Sequence, residues 1–350
     1  MKYAYVGCRT TEQRNARGKG IKVYEINDAG DWNEIQCLKT PEENPSYQCL
    51  DLEGKYLYSV HGDFTKVSGY RIREDKTLEF MNMVEIGGKN PVFIVPDKTN
   101  QFLIVAALQG GTVYVIRRNE DGTLGDIVHK HFLEGKTEDG NSFAHQCIWD
   151  QTGTYLFVVA QGRIKGWGQV RCLKFNPEEG SLTETDRYMG REYDEPRHLS
   201  VHPNNKYLYL INEKGNVMTY LSFDEKAGKM KALQRLSSLP ETYTGEGQAS
   251  ASILSENGKI LIGSNRIHES IVTYRINQET GYMTTLDWYS CLGLTPRFIC
   301  FDPEYEHFYM ANEDSDTIVE MKLDEETGRM EYTGRIIDTE SPVCITFLEN

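Results

Sequence analysis

Three arginines, two glutamates and a histidine have types and spacings suited to chemistry on a small anion: His145, Arg197, Glu213, Arg266, Arg297 and Glu313. Arg197 and Glu213 are sixteen residues apart, and Arg297 and Glu313 repeat that spacing. An imidazole or carboxylate set among guanidinium groups can take a proton from water while the arginines hold an anion and stabilise a developing oxyanion. Each pair taken alone has a plainer reading, a cross-strand ion pair worth under about 1 kcal/mol. His145 alone reads as a structural histidine. The choice rests on whether the elements that carry these residues bring them to one place.

Arg197 and Glu213 bracket "EPRHLSVHPNNKYLYLINE" (195–213), two strand-like runs around a turn at Asn205. The pattern recurs, beginning at Pro45, Pro91, Ala144, Pro196, Ala249, Pro296 and finally Pro342, at spacings of 46 to 53 residues. A second hairpin follows each copy; Gly228, Gly281 and Gly328 sit in its turns, where a left-handed backbone is required. Four short strands in each unit of about fifty residues predict a β-propeller blade. Six whole units fit between about 44 and 338. The seventh is split: "SPVCITF" supplies its innermost strand, and "KYAYVGC", "GIKVYEIN" and "WNEIQCLKT" supply the other three. The expectation is an all-β, seven-bladed propeller with four antiparallel strands per blade, one domain over 1–350, its ring closed by the C-terminal strand against the N-terminal blade.

In an antiparallel hairpin the first residue of one strand lies beside the last of the next. The sixteen-residue offset therefore predicts the pairs His145–Gln161, Arg197–Glu213, Ser250–Arg266 and Arg297–Glu313, all around the mouth of the central channel. The same positions carry no charge in Ser46–Gly62 and Val92–Leu108. Convergence of six ionisable groups from separate units favours a functional site over isolated ion pairs.

Composition limits the partners. The 350 residues are 39% hydrophobic and 26% charged, with a formal net charge of −14. That charge argues against nucleic acid, whose binders present a basic surface, and an anionic substrate would need arginines gathered locally. No run approaches the roughly 20 apolar residues of a membrane helix, and "MKYAYVGC" reads as a strand rather than a signal peptide, so a cytoplasmic protein without membrane association is expected. Eight cysteines occur without CxxC spacing and read as free thiols. His129, His131, Glu134 and Glu138 read as an outer strand running into a solvated loop, so no metal is expected. "RTTEQRNARGKGI" lacks a P-loop pattern and is placed as a loop near the first blade, over the mouth. "QGRIKGWG" (161–168) reads as a lip or an enlarged turn.

"EPRHLSVHPNNKYLYLINE", "GSNRIHESIVTYRI", "LTPRFICFDP" and "SPVCITF" resemble the lactonase family with a seven-bladed β-propeller, which includes propeller-type 6-phosphogluconolactonases and carboxy-cis,cis-muconate cyclases. The similarity spans essentially the whole chain and is strongest from about 195 onward. It implies a catalytic group of His145, Arg197, Glu213 and Arg266, acting on a lactone ring in a small carboxylated or phosphorylated molecule, without metal or cofactor. Arg297, Glu313, His198 and Asn265 are the expected substrate-binding residues. The chain departs from the family pattern at "SVHGD", "VAALQGG", "ASASIL" and Gln161-Gly162, which bears on the substrate more than on the chemistry. The leading expectation is a metal-independent hydrolase of a small anionic sugar-acid lactone, with His145 or Glu213 as base. A cycloisomerase of unsaturated dicarboxylates and a non-catalytic propeller that binds a partner at its top face are the alternatives. A monomer or weak homodimer is expected.

Overall fold

A computed structural model describes residues 2–349. It has seven four-stranded antiparallel sheets, and six of them follow chain order from the inner strand outward. The seventh joins Pro342–Glu349 to the three N-terminal strands. Lys2 pairs with Glu349 and Gly7 with Cys344, so the chain ends are hydrogen-bonded into one blade, as the split repeat predicts. The blades are numbered 1 to 6 from the one starting at Pro45, with the closing blade as 7. Among the described residues the only helical element is the short 3-10 turn Glu12–Arg14.

The alternation of each strand puts apolar side chains on both sheet faces, and these meet between neighbouring blades. Seven apolar clusters result, one per interface. The one across the closing seam joins Tyr3, Tyr5 and Ile21 to Leu57 and Tyr70. Turns inside the blades are fixed by short polar side chains. Asp51, Asp97, Asp150 and Asp302 end their inner strands, are buried, and accept backbone N–H groups across the turn. Gly228, Gly281 and Gly328 take positive φ of 64°, 77° and 76° in the outer turns.

The start of each inner strand positions the site, and here the expected register is off by one. Pro196 pairs with Asn212 and His198 with Ile211, which leaves Arg197 as an extra residue. Arg197 therefore does not stand opposite Glu213 in the ladder. The same β-bulge isolates Ser46, Val92, His145 and Arg297 in their blades. It spans Ser250 and Ala251 in blade 5 and falls at Val343 in blade 7. A bulge bends the strand and re-aims its unpaired side chain; repeated around the ring, it turns one residue per blade toward the axis. Proline is tolerated at these starts because the inner strand is a sheet edge, where a missing N–H costs no ladder bond. The residues just before them, Asn44, Asn90, Glu195, Thr295 and Ser341, all take positive φ, between 44° and 61°. Left-handed backbone at non-glycine residues is costly and tends to gather at functional sites.

Candidate active site

The bulged side chains of blades 3, 4 and 6, together with Glu213, just after the second strand of blade 4, and Arg266, the last residue of the second strand of blade 5, wall a cavity of about 240 Å³ at one end of the channel. His145, Arg197, Glu213 and Arg266 line it and are each at least nine-tenths buried. They are buried within that end of the channel.

Glu213 is the hub. Its carboxylate accepts hydrogen bonds from Gln161 Nε2 and Gln248 Nε2, each at 2.7 Å. Arg197 Nε and Arg266 Nη2 each stand 3.4 Å from it. Burial pushes the carboxyl up, but Arg266 and Arg197, with the two amides, outweigh that and hold Glu213 at about 2. The arginines are anchored in turn by blade 5, Arg197 Nη1 donating to Ser250 O at 2.8 Å and Arg266 Nη2 to Ala249 O at 3.0 Å. Arg197 Nη1 also lies 3.2 Å from His198 Nε2, which can only accept from a guanidinium.

His145 contrasts with Glu213. Its Nδ1 is buried and has no hydrogen-bond partner among the described residues. Burial, then the charges of Arg197, Arg297 and Arg266, lower its pKa well below the ordinary value, so the ring is neutral at neutral pH. The two histidine rings meet edge to face with centroids 5.3 Å apart. Beneath them the channel is plugged by aromatic rings: Tyr47 stacks on Phe93 at 4.1 Å, Phe298 packs edge-on to Tyr47, and Phe93 meets His198. Beyond the plug lies a second hollow walled by Ile148, Val201, Leu254 and Ile299. Gln146, Ser200 and Ser252 also line it, but no arginine or carboxylate does, so the charged groups are confined to one half of the channel.

A family-wide sequence profile described as "Lactonase, 7-bladed beta-propeller" matches residues 3–347. The chain belongs to this lactonase family. It is similar to a Bacillus subtilis protein named 6-phosphogluconolactonase, 29% identical over 98% of this chain and 97% of the relative. A Formosa agariphila protein of the same name is also 29% identical, over 90% of this chain and 91% of its own. Among solved structures, a Pseudomonas aeruginosa periplasmic gluconolactonase superposes with a TM-score of 0.88 at 23% identity, covering 100% of this chain and 99% of its own. A Lactobacillus plantarum protein gives 0.88 at 23% identity with full coverage of both chains. These two likenesses show the fold. Membership makes the chain a lactonase-type enzyme, as the resemblance implied.

In this lactonase the expected residues divide. Besides the four already described, Arg297 and His198 line the cavity. Glu313 does not; it stands 3.4 Å from Arg297, outside the lining. Asn265 is not there either. Its position in the ladder opposite Ala249 turns the amide outward, where Nδ2 donates to Ser238 O at 2.8 Å. It braces the blade and is corrected from substrate binding to structure. The outer-strand cluster stays remote: Glu134 is engaged by Arg171 and Arg187, at 2.7 and 2.8 Å.

Three cavity arginines were missed: Arg9, Arg14 and Arg163. Arg163 belongs to "QGRIKGWG", where its N–H donates to Glu195 Oε1 at 2.7 Å and its guanidinium to Gln161 Oε1 at 3.0 Å. Arg9 and Arg14 belong to the basic N-terminal loop, which does reach the cavity. Both segments stood out in the sequence, but the repeat register says nothing about side chains that arrive from loops. With these three, six arginines and one carboxylate line the cavity of an acidic chain. Among the described residues no cluster of three or more His, Cys, Asp or Glu is placed to hold a metal ion, and none of the helices is long and apolar enough to cross a membrane.

Proposed function

We propose that this cavity opens the ring of a small anionic sugar-acid lactone, of the kind 6-phosphogluconolactone represents. The observation that carries the reading is a neutral, buried imidazole with an unpartnered nitrogen, inside a small cavity walled by six arginines. His145 is the base. Glu213 is disfavoured for that role because two amide donors and two guanidinium charges surround its carboxylate and hold it at about 2, where it has little affinity for a proton. Its work is to keep Arg197 and Arg266 aligned.

In this scheme water attacks the ring carbonyl as His145 takes its proton, while Arg197 and Arg266 stabilise the oxyanion of the tetrahedral intermediate. The intermediate collapses with cleavage of the ring C–O bond, and the departing alkoxide recovers the proton from His145. The product is the open-chain hydroxy acid. A free His145 ringed by cations is a weak base. An anionic substrate offsets those charges and raises its proton affinity when water must be activated. Ligand charge and catalysis are therefore coupled, and a neutral lactone should be a poor substrate. The free thiols throughout the chain support a reducing, cytoplasmic setting.

The test is a pH-stat comparison of 6-phosphogluconolactone, unphosphorylated gluconolactone and an unsaturated dicarboxylate of the muconate type, each against its spontaneous rate. Lactone opening far above background, fastest for the phosphorylated lactone, is the expected outcome. Turnover of the dicarboxylate alone would replace hydrolysis with cycloisomerisation.

A further inference from the structure

One of the arginines that the repeat did not foresee, Arg9, fills the place that a glutamate takes in two other blades. Blades 4 and 6 place Glu213 and Glu313 sixteen residues after their bulged arginines; blade 1 places Gly62 sixteen residues after Ser46. A side chain at Gly62 would run into the Arg9 guanidinium and the Ser46 hydroxyl. Blade 1 thus has no carboxylate at this position, and a cation delivered from outside the blade fills the space.

Arg9 comes from the ring-closing seam. It follows directly on the strand Lys2–Cys8 of blade 7, with its N–H bonded to Ser341 O at 3.0 Å. The loop beyond is tied down on both sides, by Thr10 N to Asn44 Oδ1 at 2.8 Å and by Arg17 to Asp316. The Arg9 side chain is only 3% exposed. Its Nε has no partner among the described residues; the one carboxylate within ion-pair distance, Asp63, lies 3.4 Å from Nη1, and Glu313 acts on it from further away. Asp63 is already held by Arg14 through Nε at 2.8 Å and through Nη2. Burial and the nearby Arg297 charge lower Arg9 to about 10, so it stays charged at neutral pH. A buried guanidinium with an open donor and a shared counter-ion is costly unless something else meets it. Blade 1 is also three blades from blade 4, as far from the Arg197–Glu213 hub as a seven-membered ring allows.

We propose that Arg9, with Arg297, forms a second anion subsite across the cavity from Glu213, and that it selects lactones carrying a second charged group, phosphoryl or carboxylate, remote from the ring carbonyl. The lactonase reading supplies the identity of the reacting end; the subsite itself is testable by binding alone.

Calorimetry with 6-phosphogluconate, glucarate and gluconate separates the cases, since the three share one carboxylate and differ in carrying a phosphoryl group, a second carboxylate or neither. The wild type should bind the phosphorylated or dicarboxylate ligand more tightly than gluconate, and whichever it prefers names the group. Arg9→Gln should cut that preference by about ten- to a hundredfold, the range for a charge-assisted hydrogen bond. Gly62→Ala, which keeps the charge but displaces the guanidinium, should shift it in the same direction, and Arg9→Lys should restore part of it. The proposal is overturned if the wild type does not distinguish the three ligands, or if Arg9→Gln weakens all three alike. Should no lactone be hydrolysed while the Arg9-dependent preference persists, the reaction is wrong and the subsite stands.

Discussion

Arg197–Glu213 and Arg297–Glu313 are the same construction two blades apart. In each the arginine is the bulged second residue of an inner strand, the glutamate follows the asparagine that ends the next strand, and the closest approach is 3.4 Å. The surroundings differ. Gln161 from blade 3 and Gln248 and Arg266 from blade 5 converge on Glu213, whereas Arg297 is the only cation within ion-pair distance of Glu313 among the described residues. The Arg197 side chain is 4% exposed and that of Arg297 23%. The repeat builds the frame at both places; side chains from flanking blades turn one copy into a hub and leave the other an ion pair.

The comparison breaks most readily at Glu213. Glu213→Gln strands two buried arginines, so kcat/KM for the lactone should fall about 10²–10³-fold, and urea unfolding should show a loss of about 3–5 kcal/mol. The pH dependence has a definite sign. A carboxyl held at about 2 contributes stability that is complete above its ordinary value of 4.5 and is lost as the pH falls toward 2. Urea titrations across that range should show a steep decline in the wild type and a shallower one in Glu213→Gln.

His145→Gln should lower kcat about 10²–10⁴-fold with a small change in KM, measured by initial rates. Because the His145 pKa is lowered, the wild-type acid limb of kcat/KM should fall below pH 6.5. The limb in kcat should lie higher, since bound anion offsets the arginines. A limb in kcat/KM above 6.5 would contradict the neutral-imidazole assignment.

The blade 6 copy should respond weakly. Arg297→Ala is expected to raise KM about tenfold with a minor change in kcat, as fits an anion contact remote from the reacting carbonyl. Glu313→Gln leaves a single arginine, still 23% exposed, without its carboxylate, so it should cost less stability than Glu213→Gln and alter kcat/KM only a few-fold. An effect of Glu313→Gln as large as that of Glu213→Gln would make the two copies equivalent and remove the hub.

The fold was legible because a propeller repeats its signals. Prolines at Pro45, Pro91, Pro196, Pro296 and Pro342, and turn glycines at Gly228, Gly281 and Gly328, report the same local geometry in unit after unit, and the closing strand is complementary to the N-terminal ones. The cavity lining was legible only where it rides on that register, as at His145, Arg197, Glu213, Arg266 and Arg297. The bulge was hidden, because an inserted residue changes pairing without changing composition. Asn265 misled because adjacent strand residues point to opposite faces, so proximity in sequence to Arg266 places it away from the cavity. Arg9, Arg14 and Arg163 arrive from loops, whose paths are set by contacts such as Asn44–Thr10 and Glu195–Arg163 that no periodicity encodes.

The most direct measurement is the rate of 6-phosphogluconolactone opening by the wild type and by Arg197→Ala, side by side with the uncatalysed reaction. A site organised around Glu213 requires a wild-type rate well above background and a loss of at least about 10²-fold in Arg197→Ala, with the variant still folded by circular dichroism. A wild-type rate no faster than water, or an Arg197→Ala enzyme as fast as the wild type, would contradict it.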